Sequence, residues 1–253
     1  MIKQAVKKFM KKTLHPIILR LGYREDIPPP PVTMLNDFFR LLVNTGFTPK
    51  HIVDVGANHG TWTRAALQHF PDACYTLLEP QHWLEESIRD LLNSNKNIRF
   101  YPVGAGSVSG PAAFTIVNRD DSSTFRVTKE LADKYGFTQI EIPMLTLNEF
   151  LAGLDQPAPD IIKIDAEGLD LDVLKGASNF LGITELLLVE AAVCCKEISN
   201  SFLEIINFME KNNYTLFDIT DLNRPFKPGV LWLTELAFVK KNGILSTLNI
   251  RQD

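Results

Sequence analysis

The sequence predicts an α/β fold: a mostly parallel sheet, helices on both faces, and an antiparallel last strand. Three observations carry this. From residue 51 onward, short runs of β-formers alternate with segments of helical periodicity, as a parallel sheet covered on both faces requires. The last two strands, YTLFDI (214–219) and TELAFVKK (234–241), have only a Pro-containing loop between them, so they should pair antiparallel. The first strand, HIVDV (51–55), runs into GANHG and then a helix. Open α/β sheets bind ligands at such turns, beyond the carboxyl ends of their strands.

Taken in order, MIKQAVKKFMKKTL (1–14) sets Ile2, Val6, Phe9 and Met10 near one helical face and lysines elsewhere, which reads as a short basic amphipathic helix. IPPPPV (27–32) is a stiff polyproline spacer. MLNDFFRLLVNTG (34–46) is a helix stopped by Gly46. Strand 51–55 leads to helix 61–70, ended by Pro71. Strand 74–79, helix 81–95 and strand 98–104 continue the rhythm, which PAAFTIVNRDDSSTFRV (111–127) then breaks as a polar, loop-rich insertion, read as a hairpin followed by a loop. A short strand (140–144), a short helix (146–154), strand 160–166, helix 169–181, strand 185–191 and helix 200–213 precede the terminal pair.

At 253 residues the chain suits one large α/β domain with an appendage. We divide it into a basic arm with its Pro spacer (1–31) and one domain (32–253). The 45% apolar and 22% charged content is that of an ordinary soluble protein. No run of about 18 uncharged apolar residues is present, so no transmembrane helix is expected. Cys74, Cys194 and Cys195 show no CxxC spacing. This suits a reducing cytoplasm without disulfides or zinc, the adjacent pair being buried small residues. Residues 1–24 hold seven basic residues and no acid, which leaves −11 on the remainder of a chain whose formal charge is −4. An acidic body argues against nucleic-acid binding. The arm is open to packing, to a homo-oligomer contact, or to peripheral contact with the inner face of a membrane.

The turn Asp54-x-Gly56-x-Asn58-x-Gly60 is the most informative stretch. Gly56 and Gly60 permit a tight turn and close approach of a ligand. Asp54 repels a pyrophosphate but suits a cation. The ligand it fits best is a positively charged nucleoside, S-adenosylmethionine. Glu79, 25 positions on, ends the next strand, where a carboxylate accepts hydrogen bonds from both ribose hydroxyls. NAD would use the same acid, yet the dinucleotide spacing GxGxxG and any Tyr-x-x-x-Lys pair are missing.

VDVGANHG, LLEPQ, IKIDAEGLDLDVLKGA and LLLVEA resemble, in order and spacing, the FkbM family of S-adenosylmethionine-dependent methyltransferases, over about residues 50–240. The resemblance implies the class I methyltransferase (Rossmann-like) seven-stranded sheet. It also implies O-methylation, often of hydroxyls on sugars or natural products. Further, it places a Ser-containing loop over the cofactor, so that Ser122 and Ser123 either touch the methionine end or the acceptor, or form a solvated turn. Asn148 stands where the family commonly has an acid, and Ala166 is an acceptable small residue in IDxEG.

Methyl transfer to a hydroxyl needs alignment of the oxygen with the C–S bond and a group to take the proton. Asp165, ending strand 160–166, is the first candidate for the chemistry and for orienting the acceptor or the sulfonium end of the cofactor, with a helix-capping role as the alternative. Glu167 is either catalytic or bonds the turn's amides. Glu190, ending strand 185–191, could pair with Asp165. Two carboxylates admit a divalent metal, though the ligand set is too small to expect one. Val103 and Gly104 end the third strand, where adenine rests. Asn58 either bonds the methionine carboxylate or holds a left-handed turn. His59, His82 and Trp83 are secondary candidates, while His15, His51 and His69 read as structural. The acceptor is expected to be a small molecule or a glycan. An NAD-dependent oxidoreductase and a non-catalytic methyltransferase-like binding module are the alternatives.

Overall fold

The computed structural model describes residues 33–117, 122–194, 200–225 and 229–247. The basic arm and Pro spacer, residues 118–121 of the insertion and Cys195 lie outside the described residues.

Seven strands form the main sheet: β1 (His51–Val55), β2 (Cys74–Leu78), β3 (Ile98–Tyr101), β7 (Ile161–Ile164), β8 (Leu186–Ala192), β9 (Tyr214–Asn223) and β10 (Leu233–Lys240). Their order is β3-β2-β1-β7-β8-β10-β9. All neighbours are parallel except β10, which runs antiparallel to both β8 and β9. The predicted terminal pair is therefore present, and its last strand inserts beside β8. The order reverses direction at β1 and β7, so a crevice opens beyond their carboxyl ends.

The strands read as near-continuous apolar runs because both faces are buried. On one face Ile52, Tyr75, Ile161, Leu186 and Leu188 meet α1 (Met34–Asn44), through Phe38, Phe39 and Leu42, and α2 (Thr61–Leu67), through Trp62 and Ala66. The Phe39 ring stands edge-on to Trp62 at 5.4 Å between centroids. On the other face Val53, Val55, Ile162, Ile164 and Val189 pack on later helices, among them α5 (Leu147–Ala152), α6 (Asp170–Gly176) and α7 (Phe202–Lys211). Local chemistry sets the helix starts. The Thr33 and Thr146 hydroxyls accept from the amides of Asn36 and Glu149, and Ser201 with Glu204 closes a capping box on α7.

The structure differs from expectation in four places. Residues 81–95 form a 3-10 stretch, His82–Ile88, followed by the short α3 (Arg89–Ser94). Leu84, Ile88 and Leu91 supply its buried contacts, and Gly60 lies against Ile88 and Leu91, leaving no room for a side chain. The insertion builds its own three-stranded sheet: β4 (Gly104–Ala105), β6 (Thr138–Leu145) and β5 (Gly110–Ile116), with β5 antiparallel to β6. The expected strand 140–144 belongs to that sheet and is longer than its sequence suggested. A helix, α4 (Lys129–Tyr135), was not anticipated; Thr128 caps its start and Gly136, at φ 70°, ends it. Cys194 is exposed rather than buried.

Register gathers charge at the carboxyl edge. Asp54 pairs with Lys163, Lys163 with Leu188, and Glu235 with both Glu190 and Asp221. Side chains two apart share a face, so Asp54, Lys163, Asp165, Glu190 and Glu235 stand on the face that carries α1 and α2. Burial pushes the Glu235 carboxyl up to about 7; the Thr220 hydroxyl, 2.5 Å from Oε1, and Lys163 act against this, while Asp165 and Asp221 add to it. A folded value above the ordinary 4.5 means that stability from this group is full below that pH and is lost as pH rises through about 7. Glu235→Gln keeps the acceptor for Thr220 and removes the ionisation. It should be more stable than wild type at pH 8, by roughly 1–3 kcal/mol in urea unfolding, with the gain shrinking towards pH 5. A variant no more stable than wild type at pH 8 would refute the assignment of a buried, uncompensated carboxylate.

Candidate active site

A cleft of about 620 Å³, counting its open mouth, lies at the switch point. Its polar wall contains Gly56, Asn58, Glu79, Gln81, Ser123, Asp165 and Glu167, and its apolar wall includes Leu78, Val103, Phe114 and Phe125.

Glu79 is 3% exposed. Its Oε2 accepts from the Asn58 amide at 2.9 Å, and its Oε1 from the Gln81 amide at 3.0 Å and the Gln81 side chain at 3.2 Å. Burial raises its pKa, opposed chiefly by these hydrogen bonds. Asn58 has φ 45°, and its Oδ1 accepts from the His59 amide. The left-handed turn is thus its role in the fold, while its place in the wall leaves the cofactor role open. His59 is exposed. His82 and Trp83 are also exposed, open the 3-10 stretch, and are not among the lining residues.

Several sequence-predicted residues do other work. Asp54 is fully buried behind the cleft. Its carboxylate takes the Thr63 hydroxyl at 2.6 Å and the Lys163 ammonium at 3.2 Å, so its cation is internal, which corrects its reading as a direct ligand contact. Gly56, at φ 73°, lines the cleft, but a Cβ there would stand 1.8 Å from the Asp165 carbonyl oxygen. The glycine is needed for contact between the two loops, beyond any approach of a ligand. Gly60 serves packing, as described above. A Cβ on Gly104 would meet the Phe125 ring at 2.5 Å; this glycine lets Phe125 lie against Phe114, centroids 4.8 Å apart, and Val103 borders the cleft itself.

Asp165 lines the cleft with its side chain 38% exposed, and Oδ2 lies 3.5 Å from Lys163. The capping alternative fails for it, because α6 begins only at Asp170 without a side-chain cap. The amides of Ala166 and Gly168 donate instead to the Asp170 carboxylate, the task considered for Glu167. Burial pushes Asp170 up to about 7, helped by Asp165 and opposed by those amides. Glu167 has φ 49°, costly for a residue other than glycine, and borders both the cleft and a neighbouring recess. Glu190 does not line the cleft. It lines that recess with Thr124, Arg126, Asn200 and Trp232. Burial holds its carboxyl well above the usual range, and Asp165, Asp170 and Glu167 push the same way.

The insertion closes the site by strand-like alternation. Thr115 and Thr124 exchange backbone hydrogen bonds. Ser123 and Phe125 then line the cleft, while Thr124 donates to the Glu167 carbonyl at 3.1 Å and Arg126 to the Gly168 carbonyl at 3.0 Å. Sequence reasoning missed Gln81, Phe114, Phe125, Asp170 and Lys163. For Lys163 a signal existed: a lysine inside IIKID, a strand too apolar to face water. Among the described residues, no three His, Cys, Asp or Glu side chains stand together as a metal site, and no helix is long and apolar enough to cross a membrane.

Comparison with known proteins places this geometry. Malonyl-[acyl-carrier protein] O-methyltransferase from Neorickettsia risticii (strain Illinois) is 27% identical over 137 residues, 51% of this chain and 54% of that protein; the chain thus spans about half the length of this curated relative. Among solved structures, the N-methyltransferase NodS from Bradyrhizobium japonicum WM9 is similar at TM-score 0.46 and 9% identity, covering 86% of this chain and 99% of that one. Precorrin-6y C5,15-methyltransferase from Geobacter metallireducens GS-15 is similar at TM-score 0.45 and 12% identity, covering 81% and 88%. Likenesses so distant carry little weight beside the strand order described above. Residues 54–216, well over half of the chain, match the Methyltransferase FkbM domain, and the protein belongs to the FkbM methyltransferase family, built on the class I methyltransferase sheet.

Proposed function

We propose that the protein transfers a methyl group from S-adenosylmethionine to a hydroxyl oxygen of a small-molecule or glycan acceptor. The observation that carries this is the placing of two acids in one cleft, Glu79 at the end of β2 and Asp165 at the end of β7, with the Gly56 turn between them. Glu79 is set to accept from a ribose hydroxyl through Oε2, which takes one bond from the protein where Oε1 takes two. Asp165 offers a partly exposed carboxylate to the cationic end. The apolar wall of Val103, Phe114 and Phe125 suits a flat heterocycle. Membership of a methyltransferase family supports the methyl donor over NAD, and the name of the curated relative, an O-methyltransferase, supports oxygen as the acceptor atom.

S-adenosylmethionine supplies a methyl group on a sulfonium, which leaves as a neutral thioether. The chain's own part is to hold the acceptor oxygen in line and to receive its proton. Asp165 borders the cleft, and Glu167 and Glu190 border the adjoining recess. The recess opens on the β8 side of the cleft, where an acceptor would approach. A carboxylate there takes the hydroxyl proton as the carbon–oxygen bond forms, work worth about 10²–10⁴-fold in rate.

Glu79→Ala should weaken S-adenosylmethionine about 10- to 100-fold by calorimetry, the loss of hydrogen bonds worth about 1.5–3 kcal/mol. An unchanged dissociation constant in the folded variant would take Glu79 out of the binding site. Asp165→Asn should cut turnover at least about 100-fold while donor affinity changes less than about tenfold. Turnover near wild type would move the proton acceptor to Glu167 or Glu190. Methyl-label transfer into cell extract, fractionated into glycan, lipid and small-molecule pools, tests the acceptor class. Donor binding with no labelled product from any pool would favour a binding module that has lost turnover.

A further inference from the structure

Lys163 takes no part in the chemistry above, yet it is the residue on which the two loops of the cleft converge. It lies in the middle of β7 and is 4% exposed. Its ammonium donates to the Gly56 carbonyl at 2.9 Å and lies 3.4 Å from that of Val55. It also lies 3.2 Å from Asp54 Oδ1 and 3.5 Å from Asp165 Oδ2. One cation thus reaches the turn after β1, the buried acid at the end of β1 and the exposed acid after β7. Burial on its own would favour loss of its proton, but Asp54, Asp165 and Glu235 more than reverse this, and the group stays charged.

A lysine kept only to neutralise Asp54 would not need the other contacts. Asp54 already has the Thr63 hydroxyl on its second oxygen. The Asp165 side chain accepts no hydrogen bond among those described apart from its approach to this ammonium. Close packing of the loops depends on Gly56 having no side chain at the Asp165 carbonyl, and the ammonium contacts the same two segments through the Gly56 carbonyl and the Asp165 carboxylate. We propose that Lys163 is a positioning residue that locks Asp165 and the Gly56 turn into one geometry, so that the cleft meets a cationic ligand with a fixed carboxylate. This rests on the reading of the cleft as the S-adenosylmethionine site. It makes the discrimination between S-adenosylmethionine and its neutral product, S-adenosylhomocysteine, a property of Lys163 acting through Asp165.

The test is calorimetric, on the full chain at pH 8, with both ligands. The readout is the ratio of their dissociation constants, because general damage to the cleft weakens two ligands that differ only in the methyl and its charge by similar factors. Asp54→Asn/Lys163→Met removes the buried pair as a unit and leaves neither partner buried alone; thermal melting checks that it folds. Wild type should prefer S-adenosylmethionine. Asp165→Asn should lower that preference by about three- to tenfold, the order expected on losing one nearby charge. Asp54→Asn/Lys163→Met should lower it comparably, and adding Asp165→Asn to that variant should change the ratio less than about twofold, because coupled residues are not additive. A folded double variant with the wild-type ratio, or one in which Asp165→Asn costs its full effect again, overturns the inference. If the double variant does not fold, the same cycle is run with Lys163→Arg, and additive effects on the ratio overturn it. A wild-type protein that binds both ligands without preference overturns this inference alone. One that binds neither overturns the donor reading, and the inference with it.

Discussion

A lysine buried in the central strand of a sheet is costly to desolvate and is tolerated only where its charge is met on several sides. Lys163 meets that condition through Asp54, Asp165 and two backbone carbonyls. The pairing constrains the rest of the site. Asp54 must be an acid although it is fully buried behind the cleft, and Thr63 must bring a hydroxyl to its other oxygen. The turn after β1 must present carbonyls inward, which asks for the left-handed backbone at Gly56, and the loop after β7 must come within contact of that turn. Strand order alone brings β1 beside β7; the buried cation fixes how the two loop mouths face each other.

The sheet supplies one half of the enclosure and the insertion supplies the other. A loop merely laid over the crevice would leave its backbone polar groups without partners. Here the segment 122–126 is tied to β5 through Thr115 and Thr124, and to the loop after β7 through Thr124 and Arg126. Those ties leave every second side chain, Ser123 and Phe125, for the cleft. The small sheet β4-β6-β5 therefore anchors a wall of the site, and the glycine at 104 is the space that Phe125 needs.

Legibility in the sequence followed the reach of the interactions. The strands and most helices could be read because their signals are local: β-branched runs buried on two faces, and helical periodicity stopped by residues such as Gly46 and Pro71. The antiparallel end could be read from the missing helix between β9 and β10. Glu79 could be placed because a strand's carboxyl end is a fixed address in this topology. Asp54 was misjudged because its partner lies about a hundred residues away, on the neighbouring strand, and charge complementarity within a motif cannot show which cation meets it. Asp170 escaped for a related reason. Its carboxylate reaches back to the amides of Ala166 and Gly168, a turn whose shape is known only once it is built. The full length of β6 and helix α4 were obscured by the polar composition around the insertion, which resembles loop until β5 and β6 pair.

The arrangement separates fixed charge from exchangeable protons. In the cleft, Asp165 is held beside an ammonium that stays charged, and a carboxylate so placed suits a cation. In the recess and behind it, desolvation and neighbouring carboxylates raise Glu190, Asp170 and Glu235 above the usual carboxylate range, and Lys163 offsets this only in part for Glu190 and Glu235. Methyl transfer to a hydroxyl leaves a proton behind, and a neighbouring acid with its affinity raised towards neutrality accepts a proton more readily than an ordinary surface carboxylate does. Glu167 lies on the boundary and borders both spaces. Its left-handed backbone, costly for a glutamate, is held by the Thr124 bond to its carbonyl and by the Asp170 carboxylate that binds the amides on either side of it. The strain thus sits where the cleft meets the recess, and in the reaction proposed above the methyl donor and the acceptor oxygen would meet at that boundary.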